Sequence, residues 1–305
     1  MHSTTATRLG FTMLLSPLVW FTIQMNPMAE AIALAKPNAW EQQTAHKAAK
    51  NDEQANSAEA NPAEAIPAAD QQLVEQGIAA HEQGKYREAV AIWQLLLSAH
   101  PNNAAAHNSL GNAYLALGQI DRAEAAYRNA TQVSPNDATG YYNLGVLLAK
   151  QQRIEAAIAA YQEVVRINPN DVDAYYNIGF WQTQQGRLDE AEVAYLRASE
   201  LAPSDVEIHY TLGVFYRVRN RITEAETAFR RVITLDTQNV DGYHYLSRTL
   251  VDQGRLQDAE SILRNGLRQV PDSPNLYHDL AIVLHRQGRT RESQAMYEQA
   301  ILRGS

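Results

Sequence analysis

Cysteine is absent from the 305 residues, and this absence excludes several classes of chemistry. A disulfide-stabilised scaffold, a zinc site with thiolate ligands, a cysteine-bound iron–sulfur cluster and a cysteine nucleophile all need thiols. A lipoprotein anchor is excluded as well, because its lipid would have to be attached to a cysteine.

Positive charge is also scarce, since 26 Lys and Arg face 34 Asp and Glu and leave a net charge of −8. Nucleic-acid binding depends on Lys and Arg that neutralise phosphates, so we expect no nucleic-acid partner. The chain lacks a G-x-S-x-G elbow, an H-E-x-x-H helix and a P-loop. We therefore expect no enzymatic activity and no cofactor.

One long apolar run is present, and it lies near the amino end. Residues 9–23 read LGFTMLLSPLVWFTI, a run of 23 − 9 + 1 = 15 residues that follows Arg8. This length suits the h-region of a signal peptide, whereas a bilayer-spanning helix needs roughly 20 apolar residues. Two A-x-A sites follow, at residues 29–31 and 33–35. Residues 1–35 thus predict export to a periplasm, a lumen or the exterior; an uncleaved membrane anchor is the alternative, because residues 25–35 could lengthen the span.

The composition then changes over residues 36–69 to Ala, Gln, Asn and Glu with three prolines. Trp40 and Ile66 are the only large apolar side chains of this segment. It cannot bury enough surface to offset the entropy of ordering, so we expect a flexible tether.

From residue 70 onward the sequence repeats itself every 34 residues. Prolines recur at this interval from Pro101 to Pro203, and Pro271 follows 68 residues later. The same interval separates glycines from Gly77 to Gly213 and alanines from Ala89 to Ala259. A fixed period of this size is typical of a solenoid, in which each unit stacks on its neighbours because it cannot bury its apolar face alone.

Phrases such as YYNLGVLLAKQQRIEAAIAAYQEVVRINPND resemble the tetratricopeptide repeat, a pair of amphipathic helices with small residues where the helices cross. The resemblance implies an all-α fold, a right-handed α-solenoid superhelix. Its seven repeats would span 70–103, 104–137, 138–171, 172–205, 206–239, 240–273 and 274–305. Gly118 is expected to adopt a left-handed conformation at a helix end.

The resemblance also implies that the first helix of each repeat lines a concave groove, with the fifth and sixth residues facing a partner. Asn pairs with the backbone of any peptide, and Tyr adds apolar area and a hydroxyl. We therefore expect an extended or helical protein segment as the partner, and exposed groove positions for the tyrosines; the alternative is that some tyrosines fill space between repeats. The candidate residues are Asn108, Asn112, Tyr142, Asn143, Tyr176, Asn177, Tyr210, His244 and His278.

Two specialised roles are not expected of this groove. A subclass of the family grips the carboxylate end of chaperones through Lys and Asn, but the fifth positions here carry no Lys and only Asn108 and Asn112 match. A metal site at His244 and His278 is not expected either. Equivalent positions on adjacent helices lie about 8–10 Å apart, which is too far for two imidazoles alone to share a zinc ion.

The later repeats depart from the pattern. Ser247 and Gly266 replace a glycine and an alanine in the sixth repeat, which makes this repeat a candidate soft spot, with ordinary sequence drift as the alternative.

An arginine cluster in the fifth repeat, including Arg219, Arg221 and Arg230, could dock an acidic partner or a membrane surface, or could be a solvated helix face. In the last repeat, no further helix covers the apolar side chains, so we expect Tyr297, Ala300, Ile301 and Leu302 to be partly exposed and to offer a surface for self-association.

These observations predict a non-enzymatic protein–protein interaction scaffold. It would bind a partner segment in the groove, contact a membrane only through an uncleaved amino terminus, and aid the assembly of an envelope or membrane-associated complex. Two alternatives remain open: a regulatory subunit autoinhibited by its own tether, residues 36–69, and a non-catalytic subunit of a transferase complex.

Overall fold

The computed structural model describes residues 68–304, and every regular element in this range is an α-helix. The helices are α1 Ala68–Glu82, α2 Tyr86–Ala99, α3 Ala104–Ala116, α4 Ile120–Val133, α5 Ala138–Lys150, α6 Ile154–Ile167, α7 Val172–Gln184, α8 Leu188–Leu201, α9 Val206–Val218, α10 Ile222–Leu235, α11 Val240–Asp252, α12 Leu256–Gln269, α13 Pro274–Arg286 and α14 Thr290–Gly304. The odd-numbered helices are the first helices of seven pairs, and the even-numbered helices are the second. Each helix packs against the next one in the chain, which confirms the α-solenoid.

The predicted signal peptide, residues 1–35, lies outside the described residues, as does the predicted tether apart from Ala68 and Ala69. Within residues 68–304, no helix is both long enough and apolar enough to cross a bilayer.

Capping side chains mark where the first helices begin. Asp171 Oδ1, for example, accepts a hydrogen bond of 2.9 Å from the backbone N–H of Ala174. Short polar residues satisfy the free N–H groups of a helix start in this way, and they therefore set the beginning of each repeat. The six caps are Asn103, Asp137, Asp171, Asp205, Asn239 and Ser273.

The turn between the two helices of a repeat needs a residue with positive φ. Gly118 has φ 71° there, as predicted, and the equivalent Asn220 has φ 58°. Asn tolerates this conformation better than other residues with a side chain. In the fifth repeat, the asparagine that stands in place of the glycine therefore leaves the turn in place.

Inside a repeat, a glycine of the first helix makes room for an aromatic ring of the second. A Cβ atom on Gly213 would lie 2.5 Å from the ring of Phe229, and one on Gly179 would lie 2.8 Å from Tyr195. The close helix crossing therefore depends on the small residue, as the sequence predicted. The pairs are Gly77–Trp93, Gly111–Tyr127, Gly145–Tyr161, Gly179–Tyr195 and Gly213–Phe229.

The last two repeats change both members of this pair. In the sixth repeat Ser247 takes the glycine position and Leu263 the ring position, and both are fully buried. In the seventh repeat Ala281 takes the glycine position, and Tyr297 is 37% exposed. A larger residue on the first helix is thus accompanied by a smaller or more exposed one on the second.

Gly266 of the sixth repeat has a packing role, and the lower stability expected of this repeat stays a prediction. A Cβ atom there would lie 2.8 Å from the ring of Tyr243 and 3.0 Å from Leu276. The glycine therefore allows the sixth repeat to pack closely, both internally and against the first helix of the seventh.

Ion pairs connect the second helices of neighbouring repeats, in a set that we call the outer ion row. The arginine that precedes a second helix binds a glutamate on the second helix of the preceding repeat, always 29 residues earlier. The pairs are Arg153–Glu124, Arg221–Glu192, Arg255–Glu226 and Arg289–Glu260, with N–O distances of 2.6–2.7 Å. At the equivalent position of the third repeat, the buried Ile158 interrupts the row.

Candidate functional site

The fifth residue of one first helix meets the sixth residue of the next, and we call these contacts the inner ladder. The hydroxyl groups of Tyr176 and Thr211 lie 3.3 Å apart, and the amide of Asn177 donates a long hydrogen bond of 3.5 Å to the Tyr142 hydroxyl. The four pairs are Tyr142–Asn177, Tyr176–Thr211, Tyr210–Tyr245 and His244–Asp279. The ladder therefore uses predicted groove residues to join one repeat to the next.

The predicted exposure of Tyr142, Tyr176 and Tyr210 is wrong. Their exposed fractions are 1%, 3% and 2%, and burial raises the pKa of each hydroxyl far above its ordinary value. Each ring is enclosed because it meets an aromatic ring of its own second helix edge-on, at centroid distances of 5.6–6.1 Å. These ring partners are Tyr161, Tyr195 and Phe229.

The asparagines of the predicted groove are also turned into the repeat stack. Asn108, Asn143 and Asn177 are at most 5% exposed. The Asn177 amide also donates to a backbone carbonyl one turn earlier, at 2.9 Å. Asn112 is half-buried, and its carbonyl oxygen accepts from the Tyr127 hydroxyl at 2.6 Å. Contact of these residues with a partner stays a prediction.

The inner ladder opens at its carboxyl-terminal end, where a cavity of about 330 Å³ lies along the first helices of repeats five to seven. It contains three of the predicted residues, and we call it the C-terminal cavity. Its lining is formed by Tyr210, Val240, Asp241, His244, Tyr245, Asn275, His278 and Asp279.

Asp279 lies between the two predicted histidines. The Nδ1 atom of His244 is 2.7 Å from Asp279 Oδ2, and that of His278 is 3.9 Å from Asp279 Oδ1. The His278 side chain is 57% exposed and that of His244 28%, whereas the Asp279 side chain is only 10% exposed. Both imidazoles are therefore within reach of a bound segment. Within residues 68–304, no group of three or more His, Asp or Glu could hold a metal ion.

Sequence reasoning missed Asp241 and Asn275. Both occupy the second position of their repeats, which it did not consider. That position lies one helical turn before the fifth and sixth, on the same helix face, so the helical period could have found them.

Several arginines of the cluster form ion pairs within the chain. Arg219 and Arg221 bind Glu192 at 2.9 and 2.6 Å, and Arg230 binds Glu226 at 2.7 Å. These arginines belong to the outer ion row or flank it. Docking of the cluster to an acidic partner or a membrane surface stays a prediction, as does the alternative of a solvated helix face.

Exposure in the last repeat agrees with the prediction. Tyr297 is 37% exposed, Ile301 71% and Leu302 69%, and Ala300 is half-buried. Self-association through these side chains stays a prediction.

Comparison with protein-family models agrees with the helical repeat fold. A model described as "Cilia and flagella-associated protein 70 C-terminal domain" matches residues 26–275, and one described as "Tetratricopeptide repeat" matches residues 250–304. The chain belongs to this family of tetratricopeptide-repeat proteins. No curated protein sequence matches it.

Three solved structures share the fold. YrrB, described as a TPR protein with an unusual peptide-binding site, is 20% identical with a TM-score of 0.51, over 61% of this chain and 96% of its own. PilF of Pseudomonas aeruginosa is 18% identical with a TM-score of 0.53, over 68% and 95%. A tetratricopeptide repeat protein from Parabacteroides merdae is 18% identical with a TM-score of 0.53, over 78% and 94%.

Proposed function

We propose that this protein is a non-enzymatic scaffold that binds a segment of a partner protein in the C-terminal cavity. The observation that carries the proposal is the change along the inner ladder. From Tyr142 to Tyr210 the fifth residues are buried in contacts between repeats, whereas His244 and His278 are accessible beside a cavity. A concave site with convergent polar groups is the usual form of a ligand site.

The chemistry of the lining suits a peptide. Asn275 and His278 are exposed groups that can hydrogen-bond to a backbone, and Val240 adds apolar surface. YrrB, which shares the fold, is described as having a peptide-binding site, and this likeness supports the same class of partner here.

We further propose that the protein is exported or anchored by residues 1–35 and that it aids the assembly of an envelope or membrane-associated complex. The uncharged run of residues 9–23 and the two A-x-A sites support this proposal. Amino-terminal sequencing of the protein from a fractionated source cell tests it. A mature chain that begins after residue 31 or 35, in an exported fraction, is expected; an unprocessed chain in the cytoplasm would refute it.

Selection of a random dodecapeptide display library on the full-length protein tests the binding proposal. We expect enriched peptides that bind the wild type and lose binding to the double variant Asn275→Ala, His278→Ala. A matched control is Gln294→Ala, Glu298→Ala, which truncates two exposed side chains on the second helix of the same repeat. The proposal fails if no peptide is enriched, or if enriched peptides bind both double variants equally.

A further inference from the structure

The C-terminal cavity has an unbalanced charge. Its lining contains two carboxylates, Asp241 and Asp279, and within the described part of the chain neither Lys nor Arg lines it. The guanidinium of Arg217 lies 5.6 Å from the ring centroid of the lining residue Tyr245. Arg217 is itself 3.9 Å from Asp252.

Helix ends do not reverse this charge. The cavity lies at the starts of α11 and α13, and a helix start carries roughly half a positive charge that acts over its first turn. The capping side chains of Asn239 and Ser273 already accept from backbone N–H groups there, at 2.8 and 3.4 Å. Asp279 is already paired with His244 at 2.7 Å. Asp241, in contrast, is exposed, and no Lys or Arg of the described residues lines the cavity beside it, so a cation is favoured over an anion.

The cavity also has room and an apolar wall for a long side chain. Its volume of about 330 Å³ would hold roughly ten water molecules. Tyr210, Tyr245 and Val240 form the apolar part of the lining. Lys and Arg combine an aliphatic stem with a charged head, and they bury the stem along such surfaces.

We propose that the C-terminal cavity binds a basic side chain, Lys or Arg, of the partner segment. Asp241 receives the cationic head beside Asp279, which is also paired with His244, and the half-buried ring of Tyr245 covers the stem. This inference rests on the proposed peptide-binding function, and it specifies the chemistry of the partner: a segment with a basic residue.

The direct probe is Nα-acetyl-lysine methylamide, with the norleucine analogue as a neutral probe of similar length. Titration of the full-length protein, followed by the ring signals of His244 and His278 in NMR spectra, should show saturable shifts with the lysine probe. We expect the norleucine probe to bind about ten-fold more weakly, because it lacks charge-assisted hydrogen bonds. Equal affinity for the two probes would overturn the inference.

Asp→Asn variants test whether the carboxylates bind the probe without disturbing the fold. Asp241→Asn changes an exposed side chain, and Asp241→Asn with Asp279→Asn keeps an oxygen acceptor for His244. Both should weaken the lysine probe, and the double variant should do so about ten-fold or more. The matched control is Asp173→Asn, which alters the second position of the fourth repeat, outside the cavity. Unchanged affinity in the double variant, or an equal loss in the control, would refute the assignment.

The peptide selection distinguishes the two proposals. Enriched peptides that share a basic residue and depend on Asp241 and Asp279 support both. Enriched peptides that need Asn275 and His278 but carry no basic residue overturn this inference and leave the proposed function standing. The absence of any enriched peptide overturns the proposed function.

Discussion

Replacing Glu260 by Gln should loosen the contact between the last two repeats. Glu260 is a member of the outer ion row, and its side chain is 15% exposed. Its oxygens accept from Arg289 at 2.7 and 2.8 Å and from Arg264 at 2.8 Å. Glutamine keeps the shape and one acceptor oxygen but removes the charge.

The expected loss is about 1–2 kcal/mol in the free energy of unfolding. A hydrogen bond to a charged group contributes roughly 1.5–3 kcal/mol, whereas an exposed ion pair contributes about 0.2–1 kcal/mol. The present pairs lie between these cases, because the carboxylate is mostly buried while the Arg264 and Arg289 side chains are 49% and 36% exposed.

The effect should also depend on pH. Burial alone would raise the pKa of Glu260, but hydrogen bonds from Arg264 and Arg289 outweigh it and hold the pKa below its ordinary value of 4.5. A lowered pKa in the folded state means that the carboxylate stabilises the fold above pH 4.5. This stabilisation is lost as the pH falls through the folded pKa. The variant should therefore approach the wild type as the pH falls below the folded pKa of Glu260.

Amide hydrogen exchange measures this loss locally, which matters because repeat proteins do not unfold as a single unit. Faster exchange in α13 and α14, with little change in α3 to α6, is expected. The matched control is Glu200→Gln, which removes a single exposed pair with Arg197 at 3.0 Å and should cost less than about 0.5 kcal/mol. Equal effects of the two variants, or a penalty that persists undiminished in acid, would refute the reasoning.

Three further predictions concern the packing of the repeats, and urea denaturation checks each. Gly213→Ala should cost about 1–3 kcal/mol because the new Cβ atom would lie 2.5 Å from Phe229; adding Phe229→Leu should recover part of this loss, and purely additive losses would contradict the steric explanation. Asp171→Ala should cost about 1 kcal/mol through the lost helix cap, whereas Asp171→Asn should be nearly neutral. Thr211→Val should cost about 1–3 kcal/mol because the buried Tyr176 hydroxyl loses its partner; Thr211→Ser should retain most of the stability, and equal losses in the two variants would show that the hydroxyl contact is unimportant.

Local sequence patterns predicted the helices because the relevant interactions are local. Gly118 with its left-handed turn is one such case, and the close approach of the first and second helices at Gly213 is another. Both involve residues of a single repeat, and the 34-residue period displays them several times. The period and the resemblance to the tetratricopeptide repeat therefore predicted the fold class.

The surface of the first helices was harder to predict because it depends on the neighbouring repeat. The resemblance to the tetratricopeptide repeat placed Tyr142 and Tyr176 on one face of their helices. Whether that face is open to solvent depends on residues 35 positions later, Asn177 and Thr211, which belong to the next repeat. Knowing the helix face of a residue therefore could not show whether its side chain is exposed in the groove or buried in the inner ladder.

The sequence by itself determined the repeat length, the helix pairs and the small residues where helices cross, since each arises from contacts within about 34 residues of chain. Only the tertiary structure decided which of the candidate residues remain accessible. Stacking brings the fifth residue of one repeat against the sixth of the next, which buries the tyrosines of the middle repeats. The same stacking leaves His244 and His278 beside a cavity with two carboxylates.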